Sequence, residues 1–183
     1  KVPHKRLISK LRSYKINEDV IAWIQAFLEN RKQRVHINGK YSQWASVLSG
    51  IPQGSILGPL LFIIYINDLV EACNNGSTIF LYADDAKIFK HILTETDKIA
   101  LQKDLDSACI LTERWLLKLN VNKCKFVSYG RNFDYQANYT LHDTNLERLQ
   151  NFKDLGVTFD SKLKFGEHIQ EKINKAYSIV TKI

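Results

Sequence analysis

The chain has 183 residues and is 45% hydrophobic, which suits one globular domain with a real core and argues against disorder. Its 26 Lys and Arg outnumber 19 Asp and Glu, and the net charge of +7 is consistent with a polyanionic partner such as nucleic acid. Three cysteines without CxxC spacing make neither a disulfide framework nor a zinc site. The longest apolar run, 60–66, is too short to span a bilayer, so no membrane partner is expected.

The first half of the chain is predicted to contain two helices with a hairpin between them. Asn17 is a good N-cap, and apolar residues at helical spacing predict a helix over 18–30. The predicted buried face of this helix contains Val20, Ile24, Phe27 and Leu28. Asn38-Gly39 between two alternating runs predicts a hairpin, because both residues tolerate positive φ. A Gly/Pro loop over 49–59 then leads into a buried apolar helix with Pro59 in its first turn.

The second half of the chain is predicted to alternate strands and helices. The predicted elements, in order, are a hairpin of strands 79–82 and 86–89, a helix over 96–117, strands over 125–129 and 155–159, and a last helix marked by Ile169, Ile173, Ala176 and Val180. This order indicates an α+β fold, an antiparallel sheet with helices packed on one face. Because the chain contains no Met and its last helix runs to the final residue, we expect an excerpt of a longer polypeptide, truncated at both ends.

A few other side chains have competing interpretations. Trp23 and Trp115 have the spacing of helix core residues, whereas Trp44 lies in the hairpin and either packs or stacks. Asp68 follows an apolar helix and is interpreted as a cap or surface group rather than a ligand. The basic cluster 31–34 either contacts backbone phosphates or forms a solvated basic face.

Two adjacent carboxylates, Asp84 and Asp85, lie at the predicted hairpin tip after an apolar strand. Like charges this close repel each other, and a divalent cation removes that conflict, because Mg²⁺ prefers carboxylate, phosphate and water oxygens. The pair is therefore a candidate metal site for phosphoryl transfer. The alternative interpretation is a solvated turn, where Asp is common.

The Gly/Pro loop is the second candidate for chemistry. Glycines allow close approach of the backbone to a ligand, and the N–H groups at the start of the following helix attract anions. Gln53 carries both a donor and an acceptor, so it can contact a base or a sugar. An ordinary loop with a helix cap is the alternative.

Several motifs together resemble the reverse transcriptases of non-LTR, LINE-type retrotransposons, and in particular the jockey-like branch. The motifs are 50–62, 65–69, Tyr82-Ala83-Asp84-Asp85, 119–125 and Leu155-Gly156-Val157, and the opening 1–7 resembles the tail of the family's first catalytic motif. Gly54 and Asp84 are 30 residues apart, a gap that suits the family. The resemblance covers nearly the whole chain.

The resemblance implies the palm of a right-handed polymerase, an antiparallel sheet backed by helices with a split βαβ core. Residues 1–160 would form this palm without the first catalytic motif and the fingers, and 161–183 would begin the thumb. The implied activity is RNA-templated DNA synthesis in retrotransposition, with an RNA template, a DNA primer and dNTPs as partners. Nuclear and cytoplasmic locations are expected from the family.

The resemblance also assigns roles to individual residues. Asp84 and Asp85 would bind Mg²⁺, with Mn²⁺ as an alternative, and Lys123 would face the triphosphate. Template or nucleotide contacts are implied for Gln53, Gly54, Ser55 and Tyr82, and a primer grip for Leu155 and Gly156.

The family's first motif should supply a further metal-binding Asp upstream of this chain. We therefore expect that the 183-residue fragment alone does not polymerise. Two alternatives remain for the parent protein: a catalytically dead, nucleic-acid-binding relic of a retroelement, and a maturase of the group II intron type.

Overall fold

The structure is a computed structural model that describes residues 2–130, 134 and 136–180. The chain divides into two compact units, Lys1–Leu119 and Asn120–Ile183. Both units combine helices with short strands, in agreement with the predicted α+β class. Lys1 of the predicted first-motif tail and 181–183 of the predicted thumb lie outside the described residues. Within the described residues, none of the helices has the length and apolar character needed to cross a membrane.

The first unit contains most of the helical structure. Its elements are α1 (His4–Ser13), α2 (Glu18–Leu28), β1 (Lys32–Gln33), β2 (His36–Ile37), β3 (Lys40–Tyr41), β4 (Ala45–Ser46), α3 (Leu57–Ile66), a 3₁₀ helix (Asn67–Ala72), β5 (Thr78–Tyr82), β6 (Asp85–Phe89) and α4 (Glu95–Arg114). Helix α1 was not predicted from the sequence. The two helices whose bounds were predicted are slightly shorter than expected: α2 ends two residues earlier, and α4 begins one residue earlier and ends three residues earlier.

The core of the first unit lies between α1, α2 and α3. Its fully buried side chains are Leu7, Leu11, Ile21, Leu28, Leu61 and Tyr65. Each helix therefore contributes a stripe of apolar residues about one or two turns apart. The cap predicted at Asn17 is confirmed, because its side-chain oxygen accepts a hydrogen bond of 2.7 Å from the Asp19 N–H.

The predicted buried faces of α2 and α3 need correction. Helix α2 buries Ile21, Ile24 and Leu28, whereas Val20 is 45% exposed and Trp23, predicted in the core, is 60% exposed. Apolar residues occur on more than one face of α2, so periodicity alone could not select the face that packs on α1. Helix α3 is likewise only half buried, and Leu60 and Ile63 point to solvent. Trp115, by contrast, packs against the core as predicted.

A buried lysine joins α1 to the end of α3. The Lys10 ammonium donates to the Tyr65 carbonyl at 2.6 Å and pairs with the Asp68 carboxylate at 3.0 Å. It also lies 4.5 Å from the Trp115 ring centroid, a cation–π distance. Because Lys10 is only 2% exposed, this pairing satisfies a charge that would otherwise be costly to bury. Asp68, interpreted from the sequence as a cap or surface group, is thus an ion-pair partner.

The aromatic hydroxyl of Tyr65 caps the end of α4. It donates to the Trp115 carbonyl, while Arg6 donates to the Arg114 carbonyl, so two of the orphan carbonyl groups at this helix end have partners. Burial raises the pKa of Tyr65 to about 12, an effect that the positive charge of Arg6 only partly offsets. The phenol therefore remains a proton donor at neutral pH.

The second unit is built from short strands and one long helix. Its elements are a 3₁₀ helix (Val121–Lys123), β7 (Lys125–Val127), β8 (Thr140–Leu141), β9 (Thr144–Asn145), β10 (Glu147–Leu149), β11 (Asn151–Asp154), β12 (Val157–Asp160) and α5 (Gly166–Val180). Helix α5 contacts β12, where the His168 ring accepts from the Thr158 N–H at 3.2 Å, and β11, where Glu171 pairs with Lys153 at 2.7 Å. The predicted last helix is confirmed, but its apolar stripe is exposed.

The described strands pair two by two. The pairs β1–β4, β2–β3, β5–β6, β8–β9 and β11–β12 are antiparallel, and β7–β10 is parallel. One continuous antiparallel sheet, expected from the sequence, does not occur among the described strands. Each described strand has a single hydrogen-bonded neighbour, so every sheet consists of two strands. The predicted strand over 155–159 is also corrected: Leu155 and Gly156 form the turn between β11 and β12.

Candidate active site

The predicted hairpin at the two carboxylates is confirmed, and its strands are slightly longer than expected. Strands β5 and β6 pair from Thr78↔Phe89 to Tyr82↔Asp85, which leaves Ala83 and Asp84 as a two-residue turn. Ala83 has a φ of 51°, a backbone conformation that residues other than glycine rarely adopt. The turn places Tyr82, Asp84 and Asp85 together at the exposed tip. Both carboxylates therefore face solvent on a short, well-defined turn.

One face of this hairpin is anchored to helices. Ile79, Leu81 and Ile88 pack against a small core of Leu69, Ala72 and Ala108 from the 3₁₀ helix and α4. On the opposite face Phe80 and Phe89 stack with ring centroids 5.4 Å apart and remain more than half exposed. The hairpin thus has a rigid backing behind the strands and an open aromatic face in front.

A fully buried carboxylate, Asp104 on α4, fixes the chain where it enters β5. It accepts hydrogen bonds from the Asn75 N–H at 2.9 Å, the Asn75 side-chain amide at 2.8 Å and the Ser77 N–H at 3.2 Å. Burial alone would raise the pKa of Asp104, but the hydrogen bonds from Ser77 and Asn75 hold it below its usual value. Asp104 is therefore an ionised, buried carboxylate whose hydrogen bonds hold the turn before β5 in place.

Asp104 was missed in the sequence, although a signal existed. It precedes Ala108 and Thr112 at four-residue spacing, and all three are buried on one face of α4. An acidic residue within such a face indicates a hydrogen-bonded carboxylate, since an unpaired one would be too costly to bury.

The start of the Gly/Pro loop is held by three hydrogen bonds at Gly50. Its carbonyl accepts from the His4 ring at 2.8 Å and from the Arg31 guanidinium at 2.8 Å, and its N–H donates to the Val2 carbonyl at 2.8 Å. These partners come from the residues before α1, from α1 itself and from the segment before β1. The loop therefore begins from a fixed point rather than from a free chain.

The rest of the loop is shaped by Ser55 and Gly58. The Ser55 hydroxyl donates to the Pro52 carbonyl at 2.8 Å and accepts from the Gly58 N–H at 2.9 Å, so it acts as a cap for α3. A Cβ at Gly58 would lie 2.7 Å from the Pro52 carbonyl oxygen, which explains the glycine. Gln53 and Gly54, by contrast, are exposed, and Gly54 has a φ of 81°. The Gln53 amide is thus open to a ligand, while the Ser55 hydroxyl is engaged within the loop.

The remaining predicted site residues belong to the second unit. Lys123 is exposed at the end of the short 3₁₀ helix, where its N–H donates to the Asn120 carbonyl at 2.9 Å. Leu155 and Gly156 have φ values of 45° and 86°, typical of a two-residue hairpin turn, and the Leu155 side chain is 59% exposed.

The donor set at the β5–β6 tip suits a hard divalent cation. Within the part of the chain that the structure describes, no group of three or more His, Cys, Asp or Glu side chains could hold a metal. Mg²⁺ is commonly bound by only one or two carboxylates, with substrate phosphates and water as its other ligands. Asp84 and Asp85 fit that pattern, so the tip is a candidate site for a divalent metal of the kind used in phosphoryl transfer.

Comparison with known proteins identifies the family of the chain. The model of the family "Reverse transcriptase (RNA-dependent DNA polymerase)" matches residues 1–159. The chain therefore belongs to the reverse transcriptase family.

Its similar relatives come from insect mobile elements. It is 32% identical over 155 residues to the RNA-directed DNA polymerase from mobile element jockey of Drosophila melanogaster, a match that covers 80% of this chain and 17% of the relative. It is 29% identical to the corresponding protein of Drosophila funebris, over 100% of this chain and 21% of that relative. The probable RNA-directed DNA polymerase from transposon BS of Drosophila melanogaster is also 29% identical, over 97% of this chain and 20% of its own length. The chain thus spans about a fifth of the length of these relatives.

Proposed function

We propose that this chain is part of a non-LTR retrotransposon protein that synthesises DNA on an RNA template. The observation that carries the proposal is the pair of exposed carboxylates on the rigidly backed β5–β6 hairpin, in a chain of the reverse transcriptase family. The names of the jockey and BS relatives support RNA-directed DNA synthesis as the activity.

In the proposed reaction the 3′-oxygen of a DNA primer attacks the α-phosphorus of a dNTP, and pyrophosphate leaves. Asp84 and Asp85 would hold Mg²⁺, or Mn²⁺ in its place, which stabilises negative charge on the attacking and leaving oxygens. One face of the hairpin is packed on α4 and the 3₁₀ helix. The tip would therefore present both carboxylates to the metal without rearrangement, which favours catalysis. Tyr82, exposed beside them, would contact the nucleotide or template.

The Gly/Pro loop is proposed to contact the template and the incoming nucleotide. Gln53 and Gly54 are exposed in a loop whose start is fixed at Gly50 and whose end is capped by Ser55. The Gln53 amide can donate to and accept from a base or sugar. Ser55 would act mainly by holding the loop, since its hydroxyl already has two partners.

The proposal keeps the roles that the family resemblance implies for the second unit. Lys123 would neutralise charge on the triphosphate, and Leu155 and Gly156 would contact the primer strand. Residues 1–160 would be the palm with its split βαβ core, and 161–183 the start of the thumb. The parent protein would act in the nucleus and the cytoplasm.

Primer extension by the longer parent protein tests this function. We expect template-dependent dNTP incorporation that Asp84→Asn reduces by about 100- to 1,000-fold, because one metal-binding charge is lost. Asp106→Asn is the matched control, since Asp106 is an exposed carboxylate on α4 and not on the hairpin, and it should leave the rate unchanged. Full activity in Asp84→Asn would refute the assigned role, and a parent without incorporation would favour the inactive relic.

A further inference from the structure

The two nested hairpins between α2 and the Gly/Pro loop form a basic surface without acidic residues. The segment 30–67 contains the four cations Arg31, Lys32, Arg34 and Lys40 and no Asp or Glu. From 32 to 46 every residue is exposed, although the strands pair in register as β1–β4 and β2–β3. We call residues 31–46 the basic hairpin. No acidic residue lies within the basic hairpin itself, and its cations from Lys32 to Lys40 are open to solvent.

Aromatic rings and a guanidinium group stack on this basic hairpin. The Arg34 guanidinium carbon lies 3.9 Å from the Tyr41 ring centroid and 4.6 Å from that of Trp44. The His36 ring stacks on Tyr41 with centroids 4.3 Å apart and planes 16° apart. Tyr41 is nevertheless 57% exposed and Trp44 59% exposed. The four groups thus form an open stack of flat surfaces on a basic support.

This combination suits single-stranded nucleic acid better than other ligands. Unpaired bases stack on exposed aromatic rings and on arginine planes, and phosphates are attracted to neighbouring Lys and Arg side chains. A duplex keeps its bases stacked internally and offers only its phosphates to such a surface. Acidic protein partners would use the cations but would leave Trp44 and Tyr41 without a stacking partner.

The basic hairpin is also tied directly to the Gly/Pro loop. At its base the Arg31 guanidinium donates to the Gly50 carbonyl at 2.8 Å and to the Leu28 carbonyl at 3.0 Å. The Val47 N–H donates to the Arg31 carbonyl at 2.9 Å, which closes the outer hairpin. The surface is therefore fixed relative to the start of the loop that carries Gln53 and Gly54.

We propose that the basic hairpin binds the single-stranded template, with bases stacking on Trp44 and on the Arg34–Tyr41 stack and phosphates contacting Lys32 and Lys40. This inference rests on the proposed function, in which a single-stranded template must lead to the Gly/Pro loop. It adds a binding surface that precedes the loop and that acts by stacking as well as by charge.

Binding of fluorescent oligonucleotides to the 183-residue chain, followed by anisotropy, tests the inference without requiring polymerisation. The probes are a 16-nucleotide oligouridylate, the corresponding oligothymidylate and a duplex of the same length. We expect Trp44→Ala to weaken binding of the single strands about 10-fold, because a stacked base is lost. Trp23→Ala is the matched control, since Trp23 is 60% exposed on α2 and should leave binding unchanged.

The salt dependence of the binding affinity separates the contribution of base stacking from that of phosphate contacts. Lys40→Ala should reduce the slope of log affinity against log salt by about 0.7, as expected for one phosphate contact with a single strand. Trp44→Ala should leave that slope unchanged. Lys103→Ala, an exposed lysine on α4, is the charge control. Circular dichroism of each variant checks that the chain remains folded.

The outcomes are distinct from those of the primer-extension test. Equal affinity of Trp44→Ala and the unmodified chain, or tighter binding of the duplex than of either single strand, would overturn the inference. Preference for oligouridylate over oligothymidylate would assign the surface to RNA, and equal binding would assign it to single strands of both kinds, each in agreement with it. An inactive parent protein whose basic hairpin still binds single strands would refute only the proposed catalysis.

Discussion

At the tip of the β5–β6 hairpin, the backbone of Ala83 is strained so that the two carboxylates face outward. Its φ of 51° is unfavourable for any residue with a Cβ, and such strain is of the order of 1 kcal/mol. Strained turns are found disproportionately at functional sites. The adjacent Asp84 and Asp85 repel each other as well, and metal binding would offset that repulsion.

The strain at Ala83 gives a prediction about stability. Ala83→Gly should raise the free energy of unfolding by up to about 1 kcal/mol, because glycine adopts positive φ without a steric penalty. Ala86→Gly, a matched change in β6, should lower it by about 0.5–1 kcal/mol, because glycine weakens a strand. Urea unfolding followed by tryptophan fluorescence measures both, since Trp23, Trp44 and Trp115 all belong to the first unit. Equal destabilisation by the two variants would contradict the strain at Ala83.

At the scale of elements, Asp104 links α4 to the turn that precedes β5. Its pKa is lowered in the folded chain, so its contribution to stability is fully present above the unfolded pKa of about 3.9 and is lost as pH falls through the lower, folded pKa. Burial, with a smaller effect of the Asp104 charge, also raises the pKa of the nearby Cys73 thiol.

We therefore expect Asp104→Asn to lower the free energy of unfolding at pH 7 by about 1–3 kcal/mol, since charged hydrogen bonds to Asn75 and Ser77 are lost. The difference from the unmodified chain should shrink as the pH falls below about 4, and it should be lost once Asp104 is protonated in the folded chain as well, at its lowered pKa. Asp106→Asn, on the exposed side of the same helix, should change stability by less than about 0.5 kcal/mol. A pH-independent effect of Asp104→Asn would contradict the claim that the ionised form of Asp104 stabilises the fold.

Several elements were predictable because a local signal fixes them. The Asn17 cap located the start of α2, and Asn38-Gly39 located the inner turn of the basic hairpin, where both residues have positive φ. Tyr82-Ala83-Asp84-Asp85 located the β5–β6 tip. In each case the deciding interaction lies within a few residues along the chain.

The features that were missed depend on contacts between distant residues. Which face of α2 is buried depends on packing against α1, so Trp23 could not be assigned correctly from its own helix. The parallel pairing of β7 with β10 joins segments about 20 residues apart, for which no local pattern exists. The ion pair of Lys10 with Asp68 joins residues still further apart in the chain.

At the scale of the whole molecule, the chain combines a net positive charge with the exposed carboxylate pair Asp84 and Asp85 at the β5–β6 tip. The charge of +7 suits a nucleic-acid partner, and the acidic tip suits a metal ion. The two units divide the predicted site residues: the carboxylates and the Gly/Pro loop belong to the first, and Lys123, Leu155 and Gly156 to the second. Because both proposed metal ligands lie in the first unit, metal binding at the tip can be measured without reference to the second unit.

Paramagnetic broadening by Mn²⁺ in the isotopically labelled 183-residue chain tests the metal-binding role of the tip most directly. Broadening in the NMR spectrum decreases steeply with distance from the ion, so even weak binding reports its position. We expect the amide signals of 82–86 to broaden first, and this effect to disappear in Asp84→Asn with Asp85→Asn but not in Asp106→Asn. Broadening that spares the tip, or that persists there without both carboxylates, would contradict the assignment of Asp84 and Asp85 as metal ligands.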